Sequence, residues 1–67
     1  MMGNGRDPKR IRAFCNRLAA VWETLPDLRF GQLVANVFRV IEDGGHDPFY
    51  LEEPEMIREI EDFYYHD

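Results

Sequence analysis

What this chain lacks bounds it before anything it contains. Cys15 is its one cysteine, so no disulfide can close within it, and a lone thiol on an apolar stripe suits a reducing compartment, the cytoplasm by default. There is no long hydrophobic run. The most apolar stretch, 30–41, is interrupted by Gln32, Asn36 and Arg39 and is too short and too polar to span a bilayer. Residues 1–7 hold no apolar segment of the secretory kind, so neither export nor membrane insertion is expected. The chain has no glycine-rich phosphate loop, no Cys-x-x-Cys pair, no histidine-on-helix zinc motif and no alternating acids of a calcium loop. The expectation is a chain with no cofactor, no metal and no catalytic residues.

What is present is enough for one folded domain. Sixty-seven residues with 45% hydrophobic and 31% charged side chains are too apolar for a disordered chain and too few for two cores. Residues 6–67 are expected to form a single helical domain behind a disordered segment, 1–5. Charge is divided along the chain. Residues 1–20 carry Arg6, Lys9, Arg10, Arg12 and Arg17 against Asp7, a net +4, whereas residues 42–67 carry ten acids against Arg58 alone, a net −9. Such polarity suits two elements that attract each other within the fold, ahead of two docked subunits or two separate partner faces.

The apolar spacing is helical throughout. Asp7-Pro8 opens a first helix, since Asp caps exposed backbone N–H groups and Pro suits the first helical position. Ile11, Phe14, Cys15, Leu18, Val21, Trp22 and Leu25 then recur at the three-four spacing of one face, and Pro26 ends the run near Thr24. Asp27 is the expected cap of a second helix carrying Phe30, Leu33, Val34, Val37, Phe38 and Ile41. Its β-branched residues make a buried strand the rival reading, but twelve residues at this period exceed an ordinary strand, and Asp43-Gly44-Gly45 supplies a helix stop. Phe49-Tyr50-Leu51 forms an apolar linker expected to cross and seal the open end of the hairpin. Glu53-Pro54 starts a third, acidic helix with Met56, Ile57, Ile60, Phe63 and Tyr64 on one face. The expected fold is all-α: an antiparallel helix hairpin plus a third acidic helix reached through that linker.

Two segments, Pro26-Asp27-Leu28-Arg29-Phe30-Gly31-Gln32-Leu33 and Asp47-Pro48-Phe49-Tyr50-Leu51-Glu52, resemble those of a family of short uncharacterised bacterial proteins that combine P-D-L-R-[FL]-G-Q-L with a downstream D-x-F-Y-[IL]-E. The resemblance runs over residues 6–63 and implies a small helical cytoplasmic protein; it brings no catalytic residue, ligand or partner with it. Glu53-Pro54 stands where such proteins often open the last helix with an acid alone.

Several residues are candidates for more than packing. Arg29 and Gly31 sit in the first turn of the second helix, where a cation opposes the dipole and glycine weakens the helix. The structural reading has Gly31 admitting a ring such as Tyr50 or Phe49 and Arg29 pairing with an acid; the functional one makes Arg29 an anion or partner contact. Gln32, Asn36, Arg39 and Asp43 form a polar stripe, most simply a solvated face and otherwise an interface. Tyr64 and Tyr65 end a chain with nine aromatics, more than so small a core readily buries. Arg29, Gln32, Asn36, Arg39, Tyr64 and Tyr65 are therefore the candidate interaction residues of a non-enzymatic, self-associating module, a homodimer in the simplest case. The alternative is a nucleic-acid-binding protein using Lys9, Arg10, Arg12 and Arg17 on phosphates, although the acidic third helix suits no groove-reading role. His46 among Asp43, Asp47, Glu52 and Glu53 matches no metal-ligand spacing, His66 lies near the end, and Cys15 is placed in the core stripe, away from nucleophilic work.

Overall fold

The structure, a computed structural model, describes residues 6–65; the segment expected to be disordered, 1–5, and His66 lie outside the described residues. Three helices follow in order: α1 (Lys9–Glu23), α2 (Phe30–Asp43) and α3 (Glu53–Tyr65), with one 3-10 turn (Pro48–Tyr50) ahead of α3. Among the described residues there is no strand. The 30–41 segment is helical, and none of the helices is long and apolar enough to cross a membrane.

Each helix begins and ends for a local reason. Asp7 Oδ1 accepts a hydrogen bond from Lys9 N at 2.9 Å, occupying one of the free N–H groups of the α1 start. At the other end Trp22 Nε1 donates to the Leu28 carbonyl at 2.8 Å, and Leu28 N bonds back to the Leu25 carbonyl. That closed turn extends through Leu28, so α2 begins later than Asp27 leads one to expect. Its capping position is Arg29, in extended geometry, and Gln32 Oε1 reaches back to accept from Arg29 N at 2.8 Å. This is one half of a capping box; a guanidinium has no acceptor with which to make the other half. Gly45 ends α2 with a φ of 89°, while Gly45 N bonds to the Glu42 carbonyl and His46 N to the Ile41 carbonyl. That paired bonding is the Schellman arrangement, which needs the left-handed conformation glycine adopts without steric cost.

The ion pairs and hydrogen bonds set the directions of the helices. Arg10 meets Glu53 and Arg17 meets Glu61, so α1 and α3 run parallel. Tyr64, late in α3, bonds to the Leu33 carbonyl early in α2, so α2 runs antiparallel to both. The most extensive packing joins α1 to α3, with α2 against α3 next. Val21, Val37, Ile41, Ile57 and Ile60 form the buried centre, with Phe14, Leu18, Leu51, Met56 and Tyr64 packed around it; Leu33 is also fully buried. Parallel packing puts two helix N-termini side by side, an unfavourable pairing of dipoles, and α1 worsens it with Lys9, Arg10 and Arg12. Glu53 and Glu55 in the first turn of α3 counter both at once.

Three expectations fail here. Phe49 and Tyr50 do not seal the bundle: they are 83% and 75% exposed. Asp47 Oδ1 accepts from Phe49 N and Pro48 opens a 3-10 turn, so the two rings project outward and rest on each other edge to face, 5.0 Å apart. Leu51 alone of the three packs on the core. Cys15 is exposed rather than buried, because the wide stripe of α1 covers more of the helix than its neighbours bury. Gly31 admits no ring; a Cβ there would meet nothing within 4 Å.

Candidate interaction surface

Of the basic residues of α1, two are taken up within the fold. Arg17 Nε donates to Glu61 Oε2 at 2.8 Å and Nη2 to Oε1 of the same carboxylate, a two-pronged contact that suits a planar guanidinium. The hydrogen bond from Arg17 holds the Glu61 carboxyl below its ordinary range, against a weaker opposing effect of burial, and the same bond raises the guanidinium. Arg10 Nε lies 2.9 Å from Glu53 Oε1, but both atoms are buried without a hydrogen-bond partner. Their contact is coulombic, with the N–H misaligned on the oxygen. Arg6 pairs with Glu52 at 2.8 Å. The basic front and acidic back of the sequence thus meet as three ion pairs, two of them between α1 and α3 and the third between the residues just ahead of each helix.

The polar residues of the candidate set divide. Tyr64 OH donates to the Leu33 carbonyl at 2.6 Å, and Asn36 Nδ2 donates to the same hydroxyl at 3.4 Å; both side chains are half-buried and serve the α2–α3 seam. Gln32 caps the start of α2. Arg29, Arg39 and Tyr65 are exposed, and among the described residues no acid pairs with Arg29 or Arg39, so the pairing expected of Arg29 is not made. The His46 cluster is dispersed: Asp47 caps the 3-10 turn, and Glu52 and Glu53 face arginines. Among the described residues no three His, Cys, Asp or Glu side chains are placed to hold a metal ion. An open depression of about 520 Å³ beside His46 is lined by Leu51, Val40, Arg58, Glu55 and Glu59, a wall of both charge signs that selects for neither.

The feature that sequence reasoning missed is apolar. On α1, Arg10, Phe14, Arg17 and Val21 face α3, and the adjacent row, Ile11, Cys15, Leu18 and Trp22, repeats the same four-three-four spacing one residue on. Ile11 is 52% exposed and Cys15 is open, with Leu18 and Trp22 half-buried. On α2, Asn36 and Val40 lie toward α3, while Phe30, Val34 and Phe38 recur every four residues on the far side; Phe30 is 51% and Phe38 36% exposed. Trp22 and Phe30 touch, with ring centroids 5.6 Å apart, so the two rows meet beside the turn that connects α1 to α2. The signal was in the width of the α1 stripe: seven apolar positions span more of the helix than one packing partner covers.

No protein-family model, curated protein or solved structure matches this chain. The residues of the segments 26–33 and 47–52 have local structural roles: Leu28 receives the Trp22 bond, Gln32 caps, Leu33 is buried, and Asp47 and Pro48 shape the turn that delivers Leu51 to the core.

Proposed function

We propose that this chain is a non-enzymatic protein–protein interaction module of the cytoplasm that associates with itself, and that it belongs with the short bacterial helical proteins it resembles. One observation carries the reading: large apolar side chains of α1 and α2, Ile11, Phe30 and Phe38, stand exposed in a domain too small to spare apolar area. A core of this size rarely supplies more than about 3–5 kcal/mol by itself, and covering such a surface with a partner is a usual remedy. The exposed Cys15 thiol suits a reducing compartment.

The rival, nucleic-acid binding through Lys9, Arg10, Arg12 and Arg17, loses two of its four cations to Glu53 and Glu61. Sedimentation across the micromolar range tests the proposal. A dimer is expected, and a monomer at high micromolar concentration would remove the reading. Salt-sensitive retention of DNA, falling as phosphate contacts are screened, would put the rival in its place.

A further inference from the structure

Resting on the self-association proposed above, we infer that two copies of this chain join by exchanging α1, so that the first helix of each packs on α3 of the other through the contacts it makes within one chain. Exchange of an identical element is a low-cost route to a dimer, because the interface already exists and only the connection to the exchanged element changes.

The contacts of α1 single it out for exchange. Its packing is foremost with α3, from which the whole of α2 separates it in sequence. Arg10 and Arg17 meet Glu53 and Glu61, and Arg6, just ahead of the helix, meets Glu52. The Arg17–Glu61 and Arg6–Glu52 pairs span 44 and 46 residues of sequence. With α2, to which it is joined, α1 makes a ring contact, Trp22 on Phe30, beside the connection. Nothing in the α1–α3 seam therefore depends on which chain supplies α1; residues 24–29 decide it.

That connection is built to open at small cost. Closed, it is held by the bond from Leu28 N to the Leu25 carbonyl and by the bond from Trp22 Nε1 to the Leu28 carbonyl. Pro26 has no N–H to lose on opening, and it disfavours helical geometry at Leu25, so the opened segment stays extended instead of fusing α1 to α2. Residues 24–29 then reach about 20 Å, against a length of about 22 Å for α1 itself, enough to carry α1 to a neighbouring α3. Phe30, 51% exposed at the end of the connection, is apolar surface beside the place where two opened connections cross, and covering it favours the joined form. The competing arrangement keeps each α1 on its own α3 and joins the copies through exposed rings such as Phe49 and Tyr50.

The test is a pair of charge-reversed chains, studied alone and mixed by sedimentation equilibrium and circular dichroism beside the native chain. Arg10→Glu/Arg17→Glu sets acids against the acids of its own α3, and Glu53→Arg/Glu61→Arg sets arginines against the arginines of its own α1. Only exchange of α1 between the two variants brings opposite charges together in both seams. Both variants keep a net negative charge, so bulk attraction does not join them. The native chain is expected to dimerise, each variant alone to lose helical signal, and an equimolar mixture to recover it in a two-chain species. Should the variants stay helical alone, the mixed dimer is expected to form roughly tenfold or more tightly than either like dimer, the scale of several like-charge contacts relieved at once. A native monomer overturns self-association and exchange with it. A native dimer whose variants, once mixed, neither recover helix nor prefer the mixed dimer over both like dimers leaves self-association standing and overturns the exchange of α1.

Discussion

Two adjacent rows of the same helix meet opposite fates. Arg10, Phe14, Arg17 and Val21 of α1 are closed against α3 by a buried valine, a half-buried ring and two ion pairs; in the row one residue further round, more apolar by composition, Leu18 and Trp22 are half-buried while Ile11 and Cys15 stay exposed. Hydrophobicity alone would have buried the second row first. The difference lies in α3, whose acids find their partners only on the first row. In this small core the row that is closed is also the row that carries the arginines paired with α3, and the neighbouring row, which has no charge, is left partly exposed.

The comparison is broken most forcefully at the closed seam. Ile57 is 2% exposed in the middle of α3, and Ile57→Ala should cost about 2–5 kcal/mol, a transfer loss plus a cavity. Against a core that supplies about 3–5 kcal/mol, that removes most of the stability of the chain. Ile11→Ala removes the same atoms from the open row and should change the stability of the isolated subunit by less than about 1 kcal/mol. Urea titration of both variants at low micromolar concentration measures the contrast, and similar losses would mean that the open row belongs to the core.

Next in size is the polar stitch between α2 and α3. Tyr64→Phe removes the donor to the Leu33 carbonyl and the acceptor of the Asn36 amide, and should lower stability by about 1–2 kcal/mol. Phe at this position keeps the ring packed on the core, so the loss reports the hydroxyl alone. Thermal unfolding that is unchanged in Tyr64→Phe would return Tyr64 and Asn36 to the list of residues free to meet a partner.

How much of this arrangement the residues announce depends on what kind of physics places them. Where a backbone rule acts locally, the reading holds: Asp7-Pro8, Gly44-Gly45 and Glu53-Pro54 sit at helix ends, and the three-four spacing outweighs the β-branched content of 30–41. Where two local rules compete, it slips. Asp27 looks like a cap, but the Trp22 bond to Leu28 claims the turn and passes the role to Arg29 and Gln32. Where the answer depends on which partner arrives, the sequence is silent: nothing in the spacing of Ile11 and Cys15 distinguishes them from Phe14 and Val21 until the acids of α3 are set against Arg10 and Arg17. Phe49 and Tyr50 fail as a seal for the same reason. Three apolar residues in a row predict burial, yet Asp47 and Pro48 fold them into a turn that can aim only Leu51 inward.

A gain of stability is available on the open side. Gly31 occupies the first turn of α2 with a negative φ and with free space where a Cβ would stand. Gly31→Ala should therefore stabilise the chain by about 0.5–1 kcal/mol, by restricting the unfolded state and improving helix propensity. Gly45→Ala should do the reverse, because its φ of 89° belongs to the left-handed region that a Cβ disfavours. A melting temperature that falls in Gly31→Ala would show that something approaches this position in solution.

The smallest effect is the one that tests the charge argument directly. Glu61 has a folded pKa lowered from the ordinary 4.5 by the hydrogen bond from Arg17. For a carboxylate so shifted the folded state binds fewer protons than the unfolded one; its contribution is complete above the ordinary value and is lost as pH falls through 4.5 toward the lowered folded value. Stability should decline over that acid window, modestly, because Arg17 is open to solvent and the pair is screened. Glu61→Gln should flatten that part of the decline while slightly lowering stability at pH 7, and added salt should narrow the difference between the two chains. If α1 and α3 were held by apolar contact alone, the pH profiles of the native chain and Glu61→Gln would superimpose. The choice between the two rows of α1 would then have to rest on the shapes of Phe14 and Val21, and not on the arginines that flank them.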